Sequence, residues 1–554
     1  MLQNIQNFLI LNPGNIISVL PAMTILLIFV ILLLERRFFL NLFKNTNKLS
    51  WVILGLIILF FCLLYGTSLN YFSPSDEEWE YLNIAKGMLD GDNAFPTRHG
   101  MLYPLLLSFS FKIFGLVPYV ASYLNLLLAA SSILLVFLLS KIIFKKDIPS
   151  LISSAFYAFN FQVITFTYFR MGFPTTTGFL LLLVAVFCVL AFKYHKLSLH
   201  VLSLLSLALM SQLKPEFFTL FFPYLLCFLI FKEYKYLSFK KIILLLIIFL
   251  IVFCPFFVSN TIYKGSVRDG WCGTPSQTFD NGKMHSYSLP VLDQMDVALK
   301  SLANERFSFV YLVYDLPNFF SFWGSKSFSL ALPFILLGII FAFSKGYKKE
   351  SFYLLISFLA FSFIYLADCA YYESRYAISS YGILVVFSGF TFEFLTNRFY
   401  NTKTRFLFKI LLIAVIIFLI FSSIGTVGYY KNSFQTDRAE EYGKLEILLS
   451  DIPPENSFII MPHSNESVML KFMGYNKVIS FTDMIKMPYF EQGDKFFESF
   501  ALPIEKERNN YFISTWHCST LEVTRKFCEF TINNYAEEEM KREGDYVLYK
   551  IKSR

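Results

Sequence analysis

"SPSDEEWEYLNIAKGMLDG", residues 73–91, follows an apolar run that ends near Tyr65 and crowds Asp76, Glu77, Glu78 and Glu80 together. Ser75 or Asp76 suits an N-cap, and acids in an opening turn suit the positive end of a helix dipole. Tyr81, Leu82, Ala85, Met88 and Leu89 then recur at helical spacing, and Asp90-Gly91 is a stop signal. The stretch predicts an amphipathic helix lying along an interface. Taken locally, its acids are ordinary capping chemistry, and what they mean depends on where the chain places them.

The chain has 554 residues, 56% hydrophobic, 19% aromatic and 16% charged. Soluble domains average about 25% charged residues, so this is the composition of a membrane protein. The net charge of +8 comes from short basic clusters between apolar runs, which is not the pattern of a nucleic-acid-binding stripe. The first run, Ile16 to Leu34, lacks a basic leader region and a small-residue cleavage site, so it reads as a retained span.

At roughly 17–25 apolar residues per span, about twelve spans follow: 16–34, 51–65, 117–139, 148–168, 175–192, 197–213, 217–231, 242–258, 330–343, 352–366, 378–395 and 406–427. Lys and Arg collect in alternate loops: Arg36 to Lys48, Lys141 to Lys146, Lys193 and Lys196, Lys232 to Lys241, Lys345 to Lys349, and Arg398 to Lys409. The positive-inside rule makes these loops cytoplasmic. Both termini, the loops 66–116 and 259–329 and the tail are then extracytoplasmic. Met101 to Phe114 is short for a span; counting it as one would invert every later loop, so it is read as a second interfacial helix.

The organisation is thus a polytopic membrane domain over 1–429 and a soluble α/β domain over 430–554. In the tail, helices near 436–450, 466–472 and 521–533 alternate with strands near 458–461, 478–481, 511–514 and 546–551. Cys518 and Cys528 are expected to form a structural disulfide outside the reducing cytoplasm rather than act with His517 as a catalytic pair. No set of His and Cys has zinc spacing, so no metal ligands are assigned. A divalent cation stays open as a cofactor.

Ionisable residues recur at the extracytoplasmic ends of the spans. Arg170 ends the fourth, Lys214 sits in the hairpin "SQLKPEFF", and Arg375 opens the eleventh beside Glu373 and Tyr376. Snorkelling and interfacial anchoring explain most single Lys or Tyr residues there, and Lys214 alone would read that way. Arg375 among acids and tyrosines reads as a site, because Arg clamps phosphate bidentately. Carboxylates facing cations suit a substrate with a lipid tail, an anionic phosphate and a group to transfer.

The ordered stretches "DEEWEYLNIAKGMLDG", "RHGMLYPLLLSFSFKIFG", "VASYLNLLLAA", "LMSQLKPEFFTLFFP", "CPFFVSNTIYKGS" and "ESRYAISSYGILVV" resemble the GT-C membrane glycosyltransferases. The nearest type is that of protein O-mannosyltransferases and lipid A aminoarabinose transferases, and the resemblance runs over roughly 50–430. It implies inverting transfer of a sugar from a polyprenyl phosphate to a hydroxyl of a protein, glycan or lipid acceptor. A first-loop carboxylate would be the general base: Asp76 by matching letters, which is preferred, or Glu77 by spacing from Tyr81. Arg375, Lys214, Arg170 and Tyr376 would hold the lipid phosphate, with Glu78, His99 and Glu373 as further substrate contacts. The loop "RMGFPTTTGF" has no acid where many relatives carry a second one. The rival reading is a transporter or flippase of lipid-linked saccharides, which predicts internal repeats and mid-membrane charges; the sequence has neither. A purely structural subunit would leave the carboxylates and the Arg375 cluster without a role.

Overall fold

The computed structural model describes residues 13–66, 76–90, 102–160, 163, 172–213, 215–249, 278–280, 283–285, 331–368, 374–398, 402–433, 438–481, 500, 502–505, 508–520 and 522–552. Each of the twelve apolar runs contains a helix within these residues, and the architecture is a mainly helical bundle with a small C-terminal α/β domain. Val120–Phe144, Pro174–Tyr194, Ser379–Arg398 and Phe406–Gly428 are each long and apolar enough to cross a membrane. Val19–Leu34 with Arg36–Phe43 adds a pair bent by 65°. Shorter apolar helices, among them Leu197–Leu213 and Leu332–Ser344, fall below that length, so four spans, or five with the bent pair, meet it among the described residues.

Small and hydroxylated residues let the central helices approach closely. A Cβ on Gly389 would lie 2.0 Å from the Pro149 carbonyl oxygen, so the helix Ser374–Arg398 can cross Asp147–Ala158 only with glycine there. Buried hydroxyls return to backbone carbonyls: Ser132 to Leu128 at 2.8 Å, Ser203 to Leu199 at 2.8 Å, and Ser153 across helices to Val386 at 3.0 Å. In an apolar medium polar groups have to be satisfied internally in this way. The helix Thr402–Ser433 is peripheral, with Phe418 and Phe421 exposed, and leads towards the α/β domain.

The Lys/Arg-rich loops, grouped in the sequence by charge alone, are tied together at one end of the bundle. Glu35 accepts from Lys196 Nζ at 3.1 Å and Ser198 Oγ at 2.6 Å; Lys146 pairs with Glu393; His195 Nδ1 lies 2.7 Å from Glu233. Lys345 and Arg398 both sit over the Phe394 ring. Asp147 joins three segments, accepting from the Asn47 N–H at 2.9 Å and Ser50 Oγ at 3.0 Å and pairing with Lys141. Partial burial works against its charged form, but Lys141 and these two donors hold its carboxyl below the usual carboxylate range. A carboxyl depressed in the folded state contributes stability that is present above its unfolded pKa and fades as pH falls through the folded one. Asp147→Asn is therefore expected to cost about 1–3 kcal/mol at neutral pH. The deficit should shrink in acid, as read from thermal unfolding in detergent at several pH values.

Strands β1 (Thr278–Asp280) and β2 (Lys283–His285) form an isolated antiparallel hairpin, and the rest of the loop 259–329 lies outside the described residues. The C-terminal sheet contains β3 (Ser457–Met461), β4 (Val478–Ser480), β5 (Asn509–Ser514), β6 (Ala536–Glu543) and β7 (Tyr546–Ile551), in the order β4-β3-β5-β7-β6. β3 runs parallel to both β4 and β5, whereas β7 and β6 continue antiparallel. The helices Arg438–Leu448, Ser464–Phe472 and Glu522–Tyr535 match expectation, and Cys518 is disulfide-bonded to Cys528.

Candidate functional site

The acids of the opening stretch start the helix Asp76–Asp90. Asp76 and Glu77 occupy its first turn, while Glu78, Trp79, Tyr81, Leu82, Ile84 and Ala85 form its buried face. That face is wider than the expected stripe: Met88 is half-buried and Leu89 is exposed. The helix is also covered by protein. Trp79 stacks on Tyr442 (ring centroids 5.7 Å, 11°) and meets the edge of Phe472 at 5.5 Å, and Lys86 Nζ donates to the Phe472 carbonyl at 2.7 Å. The α/β domain thus holds the first-loop helix against the bundle.

Glu78 is the knot of this region. The Tyr103 phenol, from the second surface helix Leu102–Phe114, donates to one carboxylate oxygen, and the Gly172 N–H donates to the other at 3.0 Å. Gly172 opens the helix Gly172–Tyr194, so the carboxylate meets a helix N-terminus where a negative charge is favoured. Burial, and then the facing Glu78 carboxylate, push the Tyr103 phenol well above its ordinary range, so it remains a proton donor. A Cβ on Gly172 would fall 1.8 Å from the Tyr103 hydroxyl oxygen, which leaves room only for glycine.

A second tie brings in the Arg375 region. Ser379 Oγ donates to the Pro174 carbonyl at 3.2 Å, and the Ser379 Cα lies 3.6 Å from the position of a Gly178 Cβ. Ser379 is four residues beyond Arg375 in the helix Ser374–Arg398, about 6 Å of helix rise. Arg375 and Tyr376 lie in the first turn of that helix, as Asp76 and Glu77 do in theirs. Three helix starts, at Asp76, Gly172 and Ser374, therefore converge through Glu78–Gly172 and Ser379–Pro174. Arg170, Lys214, His99 and Glu373 lie outside the described residues. Reasoning from sequence alone did not assign Tyr103 or Gly172; the adjacent "MLYP" and "RMGFP" offered only a tyrosine near a proline and a glycine at a helix start.

This arrangement can be set against known proteins. Residues 98–258 match the family model described as dolichyl-phosphate-mannose-protein mannosyltransferase. ArnT from Cupriavidus metallidurans bound to undecaprenyl phosphate superposes with a TM-score of 0.56 at 10% identity, covering 91% of this chain and 98% of that one. The chain has the GT-C fold. The apo state of the same ArnT gives a TM-score of 0.53 at 11% identity, covering 90% and 98%. The Archaeoglobus fulgidus oligosaccharyltransferase in complex with Zn and sulfate gives 0.50 at 12% identity, covering 90% of this chain and 72% of that one. No curated protein matches by sequence. The resemblance read from the six motifs thus holds at the level of fold, and the matched family segment falls within the stretch that carries it.

Proposed function

We propose that this GT-C protein is a membrane glycosyltransferase that moves a sugar from a polyprenyl phosphate to an acceptor hydroxyl, with inversion, on the extracytoplasmic face. The observation that supports the proposal is the pair of contacts, Glu78 with Gly172 and Ser379 with Pro174, that bring the acid-bearing and the arginine-bearing helices to the start of the helix Gly172–Tyr194. ArnT, a solved protein of similar fold, is bound to undecaprenyl phosphate, a lipid phosphate of the class proposed here. The segment matched to the mannosyltransferase family adds support for sugar transfer.

The acceptor oxygen forms its bond to the anomeric carbon as the bond from that carbon to the phosphate oxygen breaks. The hydroxyl proton passes to the first-loop carboxylate, Asp76 or Glu77, acting as general base. The lipid phosphate leaves with the electron pair, so no strong general acid is required. Arg375 and Tyr376, with Lys214 and Arg170, stabilise the charge growing on it. Glu78 is a positioning residue, because its two oxygens receive protein donors. His99 and Glu373 complete the substrate contacts. The Cys518–Cys528 disulfide supports an oxidising compartment for the 430–554 domain and the adjoining site. The acceptor is a protein, glycan or lipid.

The test is a transfer assay in membranes with a panel of polyprenyl-phosphate sugars. At least one donor is expected to turn over, and Arg375→Ala should lower kcat by about 10²–10³-fold with the protein still folded. No transfer from any donor, alongside measurable translocation of the lipid-linked sugar, would replace this reading with that of a flippase.

A further inference from the structure

A second cluster of chemistry-bearing side chains lies wholly inside the α/β domain. His463 follows β3, Glu466 lies in the first turn of the helix Ser464–Phe472, and His517 follows β5. One ligand atom from each of the three lies within 4.8 Å of the other two. β3 and β5 are parallel neighbours paired through Ile459 and Tyr511, and the chain leaving β3 first fills the β4 position on the opposite side. The carboxyl ends of β3 and β5 are therefore the topological switch point of the parallel part of the sheet, where open α/β sheets place their ligands.

Glu466 is buried in a way that leaves room for a further partner. Glu466 is fully buried, yet neither of its carboxylate oxygens receives a hydrogen bond. One oxygen lies 2.6 Å from His517 Nδ1, an ion-pair contact without hydrogen-bond geometry. The His463 and His517 rings stack in parallel at 4.3 Å, so a shared ion requires one ring to rotate and bring its nitrogen lone pair round, and His517 is buried as well. The contact with His517 leaves the second carboxylate oxygen without a partner atom of its own, and a buried carboxylate is stabilised by pairing or by coordinating a metal. His517 is also held from behind: Thr524 Oγ1 donates to its carbonyl at 2.6 Å, and the neighbouring Cys518 is fixed by its disulfide to Cys528.

We propose that His463, Glu466 and His517 bind one divalent transition-metal ion of the zinc class. Two imidazole nitrogens and one carboxylate oxygen are borderline donors with one negative charge, and three protein ligands leave a fourth position for water. The sequence pattern is H-x-x-E followed by a histidine some fifty residues later, which matches no short zinc signature. The ion would brace the helix Ser464–Phe472 that packs on the first-loop helix through Phe472 and Trp79. Beside it, Trp516 Nε1 donates to Glu441 at 2.8 Å, next to the Tyr442 that stacks on Trp79.

The test uses the full chain, purified in detergent without a polyhistidine tag, stripped with chelator and reloaded with Zn(II) or Co(II). The wild type is expected to retain about one ion per chain through gel filtration. His463→Ala, Glu466→Gln and His517→Ala should each retain at least about tenfold less, taking the lower end of the effect of losing ligand support. Co(II) loading of the wild type should give visible d–d bands for nitrogen and oxygen ligands with no thiolate charge-transfer band, a readout that does not depend on the variants folding. A wild type that holds no ion, variants that hold as much as the wild type, or Co(II) bands of six-coordinate solvent type would each overturn the proposal.

Discussion

Asp76→Asn is expected to lower sugar transfer by about 10²–10⁴-fold, the range contributed by a positioned general base. The loss should fall on kcat, with the KM for the lipid-linked donor little changed, because the donor phosphate is assigned to the Arg375 end of the site. Glu77→Gln is the matched comparison. Both residues occupy the first turn of the helix Asp76–Asp90, and the next acid, Glu78, is buried between Tyr103 and Gly172 and therefore removed from proton transfer. A collapse of transfer in Glu77→Gln with Asp76→Asn intact would move the base by one position and leave the rest of the mechanism standing. Full transfer in both variants would remove the base from this loop altogether.

Gly172→Ala is expected to be the most damaging single methyl group in the described chain near the site. Its Cβ would be built 1.8 Å from the Tyr103 hydroxyl oxygen and 2.0 Å from the adjoining ring carbon. Tyr103 cannot yield without leaving Glu78, and Glu78 then loses a buried donor. Overpacking and a broken buried hydrogen bond together are expected to cost about 3–5 kcal/mol. The measurement is thermal unfolding in detergent, with the fraction of monodisperse protein as a second readout. Gly178→Ala on the same helix is the control. There the nearest atom is 3.6 Å away, an ordinary contact, and little change is expected. Equal losses in the two variants would mean that the Glu78 knot is not what holds this region.

Much of the fold could be read from the chain because the forces that set it are local or periodic. Apolar length located a described helix in each of the twelve runs, since a membrane demands continuous runs of internally bonded backbone, but it missed Arg36–Phe43, which charge groups with the basic loops. Charge grouped the loops, and the contacts Glu35–Lys196, Asn47–Asp147 and Lys146–Glu393 tie those loops together at one end. Alternating short strands and helices gave the longer described elements of the α/β domain except one strand. β6, "AEEEMKRE", has the composition of an exposed helix and was not anticipated as a strand. It is extended because β7 offers it an open edge, and its mostly exposed charges then protect the rim of the sheet.

The candidate site divides along the same line. The sequence by itself determined that acids open one helix and that Arg375 opens another, because residue type and spacing are written along the chain; its GT-C character entered only as a resemblance. Only the tertiary structure decided that Glu78 is bound by Tyr103 and Gly172 while its neighbours start the helix, that the start of the helix Gly172–Tyr194 also meets Ser379, and that His463, Glu466 and His517 meet. Each of these depends on atoms brought together from segments dozens to hundreds of residues apart. Long-range packing fixes such distances, and no local pattern of residues encodes them.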